Sequence, residues 1–239
     1  VSHQTLVICC SYSGNTEETL SVYHQAKDVD AKVSVIASGG TLVELAEKNG
    51  DDLSLLPNKI QSPRANIGYS VVQLLHVLEA YGFISDSFKI EIENTIALLE
   101  HNQKRIEEKS KEIAKEYFNK LPIFYSGDRF APVIVRNQQQ INENAKQLCH
   151  INVFPEFNHN ELVGWVYPEI IYKNSVVTIF HSDFDHGRVK KRMEICDSIF
   201  QNKASKVLEI HAKGASFLEQ AYYIIHLFDF VSVDLADLN

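Results

Sequence analysis

The segment Ser11-Tyr12-Ser13-Gly14-Asn15-Thr16 follows an apolar run, Thr5–Ile8, and leads into a stretch of helical spacing. Three small hydroxyl side chains and a glycine at a strand-to-helix join are suited to holding an anion. A helix start carries unpaired backbone N–H groups and the positive end of the helix dipole. Ser11, Ser13 and Thr16 add hydroxyl donors, and Gly14 lets the backbone approach closely, so the stretch can cradle a phosphate. The same residues also read as an ordinary helix cap, with Asn15 or Thr16 capping and two glutamates in the first turn. No lysine follows as in a Walker loop, and there is no G-x-G-x-x-G, so the phosphate expected is that of a sugar rather than a nucleotide.

A second polar run, HSDFDHGR (His181–Arg188), holds two histidines and two aspartates. Their spacing matches no metal-binding motif, and the run reads as a strand-to-helix loop with Asp185 near the cap; no metal is expected. Lys213, in a loop ahead of the last helix, is a candidate substrate contact, with a solvated lysine as the alternative.

The elements that must position these groups follow a βαβ rhythm, which implies a parallel sheet. Thr5–Ser11, Lys32–Ala37 and Asp52–Leu56 read as strands, with helices over Glu17–Lys27 and Thr41–Lys48. Ser62–Phe83 reads as a long apolar helix with Ile67, Val71, Leu74, Leu75 and Leu78 on one face. Ile90–Leu121 is highly charged and reads as a solvated connecting helix laced by i,i+4 pairs. The rhythm then restarts: strands over Ile123–Ser126, Ile151–Phe154, Val176–His181 and Val207–His211, helices near Ala131–Cys149, Arg188–Phe200 and Ser216–Ala236. SYSGN in one half and FYSGD (Phe124–Asp128) in the other hint at duplication. The domain organisation expected is a first domain over 1–86, a connecting helix over 87–121 and a second domain over 122–239.

The chain has 239 residues, enough for a sizeable core, and 45% hydrophobic with 23% charged residues is a globular composition. A net charge of −8 argues against nonspecific binding to nucleic acid or an anionic membrane, both of which need a basic surface. No apolar run approaches the ~20 residues of a membrane span. The four cysteines form no C-x-x-C pair, and Cys9 and Cys10 fall in an apparent buried strand; they read as reduced thiols of a cytoplasmic protein.

SYSGNTEETL (Ser11–Leu20) resembles the phosphate-binding signature of sugar isomerase (SIS) domains. With SPRANIGYS (Ser62–Ser70), INENAK (Ile141–Lys146), PEFNHNELVGW (Pro155–Trp165) and EIHAKG (Glu209–Gly214), in this order, nearly the whole chain resembles the bifunctional phosphoglucose/phosphomannose isomerases. The resemblance implies an α/β fold of two SIS-type domains, each a mostly parallel sheet flanked by helices. It implies aldose–ketose isomerisation of glucose 6-phosphate, mannose 6-phosphate or both to fructose 6-phosphate through an enediolate, without a cofactor, by a homodimer with shared active sites. Residue by residue, it implies that the hydroxyls of Ser11, Ser13 and Thr16 and the backbone amides of Gly14 and Asn15 hold the phosphate. It makes Glu143 the base that moves a proton between C1 and C2. His159, reaching in from the partner subunit, opens the sugar ring, and Arg64 faces the enediolate charge. Glu161, in the same loop as His159, would either hydrogen-bond substrate or orient that histidine.

The chemistry agrees in type. A partly desolvated carboxylate has its pKa raised toward working pH, an arginine keeps its charge, and a histidine exchanges protons near neutrality. Family members begin earlier, with a strand and a glycine-rich loop that touches substrate, and extend to a tail carrying a catalytic lysine. The chain is therefore expected to be a piece lacking both, with its first sheet short of an edge. Two rival functions remain at this point: a SIS regulator that binds a sugar phosphate without turning it over, and another SIS enzyme such as an amidotransferase-type isomerase half.

Overall fold

The computed structural model describes residues 1–58 and 62–239. The chain divides into two compact units, Val1–Phe88 and Lys89–Asn239. In the first, strands β1 (Leu6–Cys10), β2 (Lys32–Ala37) and β3 (Asp52–Leu55) alternate with helices α1 (Glu17–Asp28) and α2 (Gly40–Asn49), and α3 (Ile67–Ala80) comes after them. The strands lie in the order β1-β2-β3, all parallel, with Cys9 opposite Val35 and Val35 opposite Leu53. The middle strand is buried along all but its first residue, which is why KVSVIA reads as a nearly unbroken apolar run. Its alternate residues serve two layers: Val33, Val35 and Ala37 pack with Tyr23, Ala26, Leu42 and Ala46, while Ile36 packs with Leu56 and Val77. Cys9 is buried in the layer with Tyr23 and Leu42, but Cys10, which as its neighbour on the strand points to the opposite face, is exposed; the expectation that both thiols are buried is corrected for Cys10.

A 30-residue helix, α4 (Phe88–Tyr117), is followed by β4 (Leu121–Gly127), α5 (Ala131–Gln140), β5 (His150–Phe154), and the short helices α6 (Glu161–Gly164) and α7 (Glu169–Lys173). The chain then forms β6 (Ser175–His181), α8 (Gly187–Gln201), β7 (Lys206–His211) and α9 (Phe217–Leu238). The second sheet has the order β5-β4-β6-β7 and is also parallel throughout. One face carries Phe124, Val176, Phe180 and Ile210 against α4, α5 and α9; the other carries Ile123, Tyr125, Val177 and Ile179 against α8 and the segment after β5. The charged helix α4 is not solvated all round. Ile106, Ser110, Ile113, Ala114 and Tyr117 are buried at helical spacing, so its second half is a wall of this core.

The single helix expected over Ala131–Cys149 is replaced by something more specific. Regular α-helix stops at Gln140, one wider π-turn spans Ile141–Ala145, and Lys146 ends it in the left-handed region at φ 56°. Buried Ile141 and Ala145 keep the apolar spacing of a helix running, which is why the sequence alone does not mark the break.

Candidate active site

In the first unit, the loop between β1 and α1 is built around Ser11 and Gly14. The Ser11 hydroxyl is buried, lies 2.8 Å from the Thr16 hydroxyl, and accepts from the Gly14 amide at 3.2 Å. The Ser13 hydroxyl accepts from the Asn15 amide at 3.2 Å. Thr16 occupies the N-cap of α1, yet its side chain makes no capping bond; its hydroxyl is turned to Ser11 instead. Among the described residues no side chain caps the α1 start, which lies beside these hydroxyls, a combination suited to an anion.

The second loop, between β2 and α2, holds the first in shape. The Ser38 hydroxyl and amide both donate to the Tyr12 carbonyl, the Leu42 amide donates to the Gly14 carbonyl, and the Asn15 side chain accepts from the Thr41 amide at 3.0 Å. Gly14 sits at φ +68°, and a β-carbon there would lie 1.8 Å from the Gly39 carbonyl oxygen. Gly40 sits at φ +73°, and a β-carbon there would meet the Ser13 carbonyl at 2.4 Å. The two loops thus close on each other at glycines. Asn15 contributes its side chain to this clamp as well as its place in the cradle. The Gly39-Gly40 pair was not singled out as part of the site, although two glycines between a strand and a helix were the available signal.

Arg64 lies in the same unit, exposed on a short 3₁₀ turn, Pro63–Asn66, that leads into α3. Asn66 behind it is buried and donates from its side chain to the Ser62 carbonyl, fixing the turn.

Glu143 lies in the second unit at the centre of the π-turn, its side chain exposed between buried Ile141 and Ala145. Such turns widen a helix by one residue and often occur at functional sites. Three contacts stiffen it: Lys146 donates to the Glu143 carbonyl at 2.7 Å, Asn144 donates to the Ser232 hydroxyl at 2.8 Å, and Ser232 donates to the Asp229 carbonyl. Arg136 and Gln140 on α5 bond the Asp229 carboxylate from the preceding turns.

His159 is exposed just after a 3₁₀ turn, Glu156–Asn158. On its N-terminal side Phe157 is fully buried and stacks on Tyr125 with ring centroids 4.3 Å apart. On its C-terminal side the Glu161 carboxylate is bound by three donors. Tyr125 donates to one oxygen; Asn152 donates to the other at 2.6 Å, with His150 at 3.0 Å from that same oxygen. Trp165 donates its indole N–H to the Tyr125 oxygen at 3.1 Å. Burial alone would push the Glu161 carboxyl up, but the bonds from His150, Asn152 and Tyr125 outweigh it and hold the group below the usual carboxylate range. The bond to Glu161 raises His150, against the opposing effect of its partial burial.

The second unit does not bring Glu143 and His159 together. Ile141 and Ala145 of the π-turn belong to the core on one face of the sheet, whereas Phe157 and Trp165, on either side of His159, belong to the core on the other. Lys213 is partly buried, donating to Asn102 on α4 at 3.0 Å and lying 5.4 Å from the Tyr223 ring centre. Its pKa is lowered by burial first and by nearby Arg105 second.

The HSDFDHGR run is a loop with internal partners. Asp185 accepts from the Ser182 amide and Asp183 accepts from Gln220; Asp185 lies one residue before the cap of α8, His186, which accepts from the Arg188 amide. Among the described residues no group of three His, Cys, Asp or Glu side chains is placed to hold a metal ion. In this unit Gly127 of FYSGD faces the Asp185 carboxylate, which lies 2.2 Å from where a β-carbon would stand. The protein's own carboxylate fills that approach.

Comparison with known proteins places the chain in a family. Residues 106–239 match the family model described as the bacterial phospho-glucose isomerase C-terminal SIS domain. The chain is 40% identical over 246 residues to a bifunctional phosphoglucose/phosphomannose isomerase of Caldicellulosiruptor bescii, covering 100% of this chain and 72% of that protein. It is 36% identical over 163 residues to a D-glucosamine-6-phosphate 4-epimerase of Sulfolobus acidocaldarius, covering 68% of this chain and 51% of that one. Among solved structures, tagatose-6-phosphate ketose/aldose isomerase from Escherichia coli superposes with a TM-score of 0.72 at 16% identity, over 98% of this chain and 68% of that one, a likeness of fold. The fold is thus the SIS-type α/β fold of parallel sheets flanked by helices, and the chain belongs to the bifunctional phosphoglucose/phosphomannose isomerase family.

Proposed function

We propose that this protein isomerises glucose 6-phosphate and mannose 6-phosphate to fructose 6-phosphate, as a cytoplasmic homodimer of chains that each carry two SIS-type domains. The observation that carries the reading is the clamped loop of the first unit, where the hydroxyls of Ser11, Ser13 and Thr16 lie at a start of α1 that the Thr16 side chain does not cap. In this reading it takes the substrate phosphate, and the amides of Gly14 and Asn15 join in by exchanging their bonds to the Ser11 and Ser13 hydroxyls for bonds to the phosphate. His159 moves a proton between O5 and O1 to open the ring. Glu143 takes the C2 proton and returns it to C1, and the charge that builds on the enediolate faces Arg64. Glucose and mannose epimers share one enediolate once the C2 proton has left, so one base serves both. Support for a shared site comes from the sheet that separates Glu143 from His159: a His159 that cannot serve the Glu143 of its own unit can serve a neighbour's.

The test is a direct assay of fructose 6-phosphate formation from each hexose phosphate, with glucosamine 6-phosphate run alongside because of the epimerase relative. Turnover of both hexose phosphates that vanishes in Glu143→Gln supports the reading. Binding of sugar phosphate without turnover, or turnover of the amino sugar alone, refutes it.

A further inference from the structure

Glu161 sits two residues after His159, in a family of isomerases where a free carboxylate near the sugar could bind a hydroxyl or act as a second base. Its surroundings argue for neither. Both carboxylate oxygens are already engaged by groups of its own unit, one by Tyr125 and the other by Asn152 and His150. The Asn160 side chain accepts from the Glu161 amide at 2.5 Å and donates to Glu156 at 2.7 Å, so the backbone around His159 is also tied. Tyr125 is the common anchor. Its ring is fully buried on β4 and stacks on Phe157, two residues before His159; its hydroxyl meets Glu161, two residues after. The segment from Phe157 to Glu161 is therefore pinned at both ends to one side chain of the sheet, with the exposed histidine between the pins.

We infer that Glu161 is a positioning residue: with Tyr125 it forms a strut that sets where His159 stands, and it touches neither substrate nor reacting atoms. The inference rests on the reading that His159 opens the sugar ring. A carboxylate whose pKa is held low by three donors is also a poor proton acceptor near neutral pH, which fits a strut and not a base.

The experiment uses the natural full-length protein with glucose 6-phosphate as substrate and four variants: Glu161→Gln, Tyr125→Phe, His159→Ala, and the Glu161→Gln/His159→Ala double. A displaced catalytic group costs roughly tenfold to a hundredfold in rate. Glu161→Gln is expected to lower kcat by about that much while leaving KM within about twofold, because only the ring-opening group has moved. Tyr125→Phe keeps the ring stack and removes only the hydroxyl, so it tests the same strut even if Glu161→Gln folds poorly, and should lower kcat in the same sense. In the His159→Ala background, Glu161→Gln should cost nothing further, the mark of a residue that acts through another. Losses that multiply instead, or a KM raised tenfold at unchanged kcat, would make Glu161 a substrate contact or an independent base and overturn the inference. If His159→Ala is itself as active as the parent, the ring-opening role of His159 fails and the positioning role falls with it. That outcome is distinct from one in which His159 matters and Glu161 does not.

Discussion

Gly14 tolerates substitution poorly. Alanine there must adopt a left-handed conformation, at roughly 1–2 kcal/mol, and must also push its β-carbon away from the Gly39 carbonyl, 1.8 Å off. Gly14→Ala is expected to lower thermal stability and to raise the KM for hexose phosphates by at least about tenfold; a variant with the parent's melting temperature and KM would show that the loops are not clamped there. Thr16→Ala is gentler. It removes one hydroxyl from the cradle and its 2.8 Å partner from Ser11, so KM should rise, by roughly tenfold or more if that hydroxyl meets a charged phosphate, with kcat near the parent's. An unchanged KM would remove Thr16 from the phosphate site. Glu143→Gln keeps size and loses basicity. It should lower turnover of the glucose and mannose substrates together by at least ~10²-fold, and exchange of the C2 proton with solvent should fall in parallel. Exchange at the parent rate would place the base elsewhere.

Among the elements, the segment between β5 and α6 carries a pH dependence that can be worked out. His150 is raised in the folded state, so its contribution is fully present below its unfolded pKa, near 6.5, and is lost as pH rises through the higher folded value. Glu161 is lowered, so its contribution is present above its unfolded pKa, near 4.5, and is lost as pH falls through the lower folded value. The pair stabilises most between those two reference values. Melting temperature followed from about pH 4 to pH 9 should fall on both sides of that window more steeply in the parent than in Glu161→Gln; superimposable curves would mean that the pair contributes nothing to stability. Elements such as β2 and α1 were legible because their signals are local: a nearly unbroken apolar run rich in β-branched residues for a central strand, and a hydroxyl–glycine join before a helix. The π-turn was not, because Ile141 and Ala145 preserve helical spacing through it and Lys146 takes a left-handed conformation without being glycine. Cys10 is exposed where Cys9 is not because adjacent strand residues point to opposite faces, and how well each face is covered is decided by what packs there, which the strand's own sequence does not tell. The cradle residues and Glu143 were legible as motifs, but the anchoring of the His159 segment was not, since Tyr125, His150, Asn152, Glu161 and Trp165 meet only after the sheet has formed.

At the scale of the whole molecule, the shared-site reading makes a quantitative statement. Mixing Glu143→Gln with His159→Ala subunits and letting them reassort makes about half of the dimers mixed, each with one intact site, so activity should recover to about a quarter of the parent's. No recovery, while each variant still dimerises, would mean that both residues act within one chain. The π-turn around Glu143 adds a consequence for how such a molecule can diverge. It is an α-helix with one residue too many, so losing a single codon, that for Asn142, would let the turn relax to a regular helix while the flanking chain keeps its register. Glu143 would leave its station while the loop at Ser11–Thr16, in the other unit, kept its shape. With the roles proposed for that loop and for Glu143, a lineage that lost that codon would keep the binding of a sugar phosphate and give up its conversion, going from enzyme to sensor in one deletion.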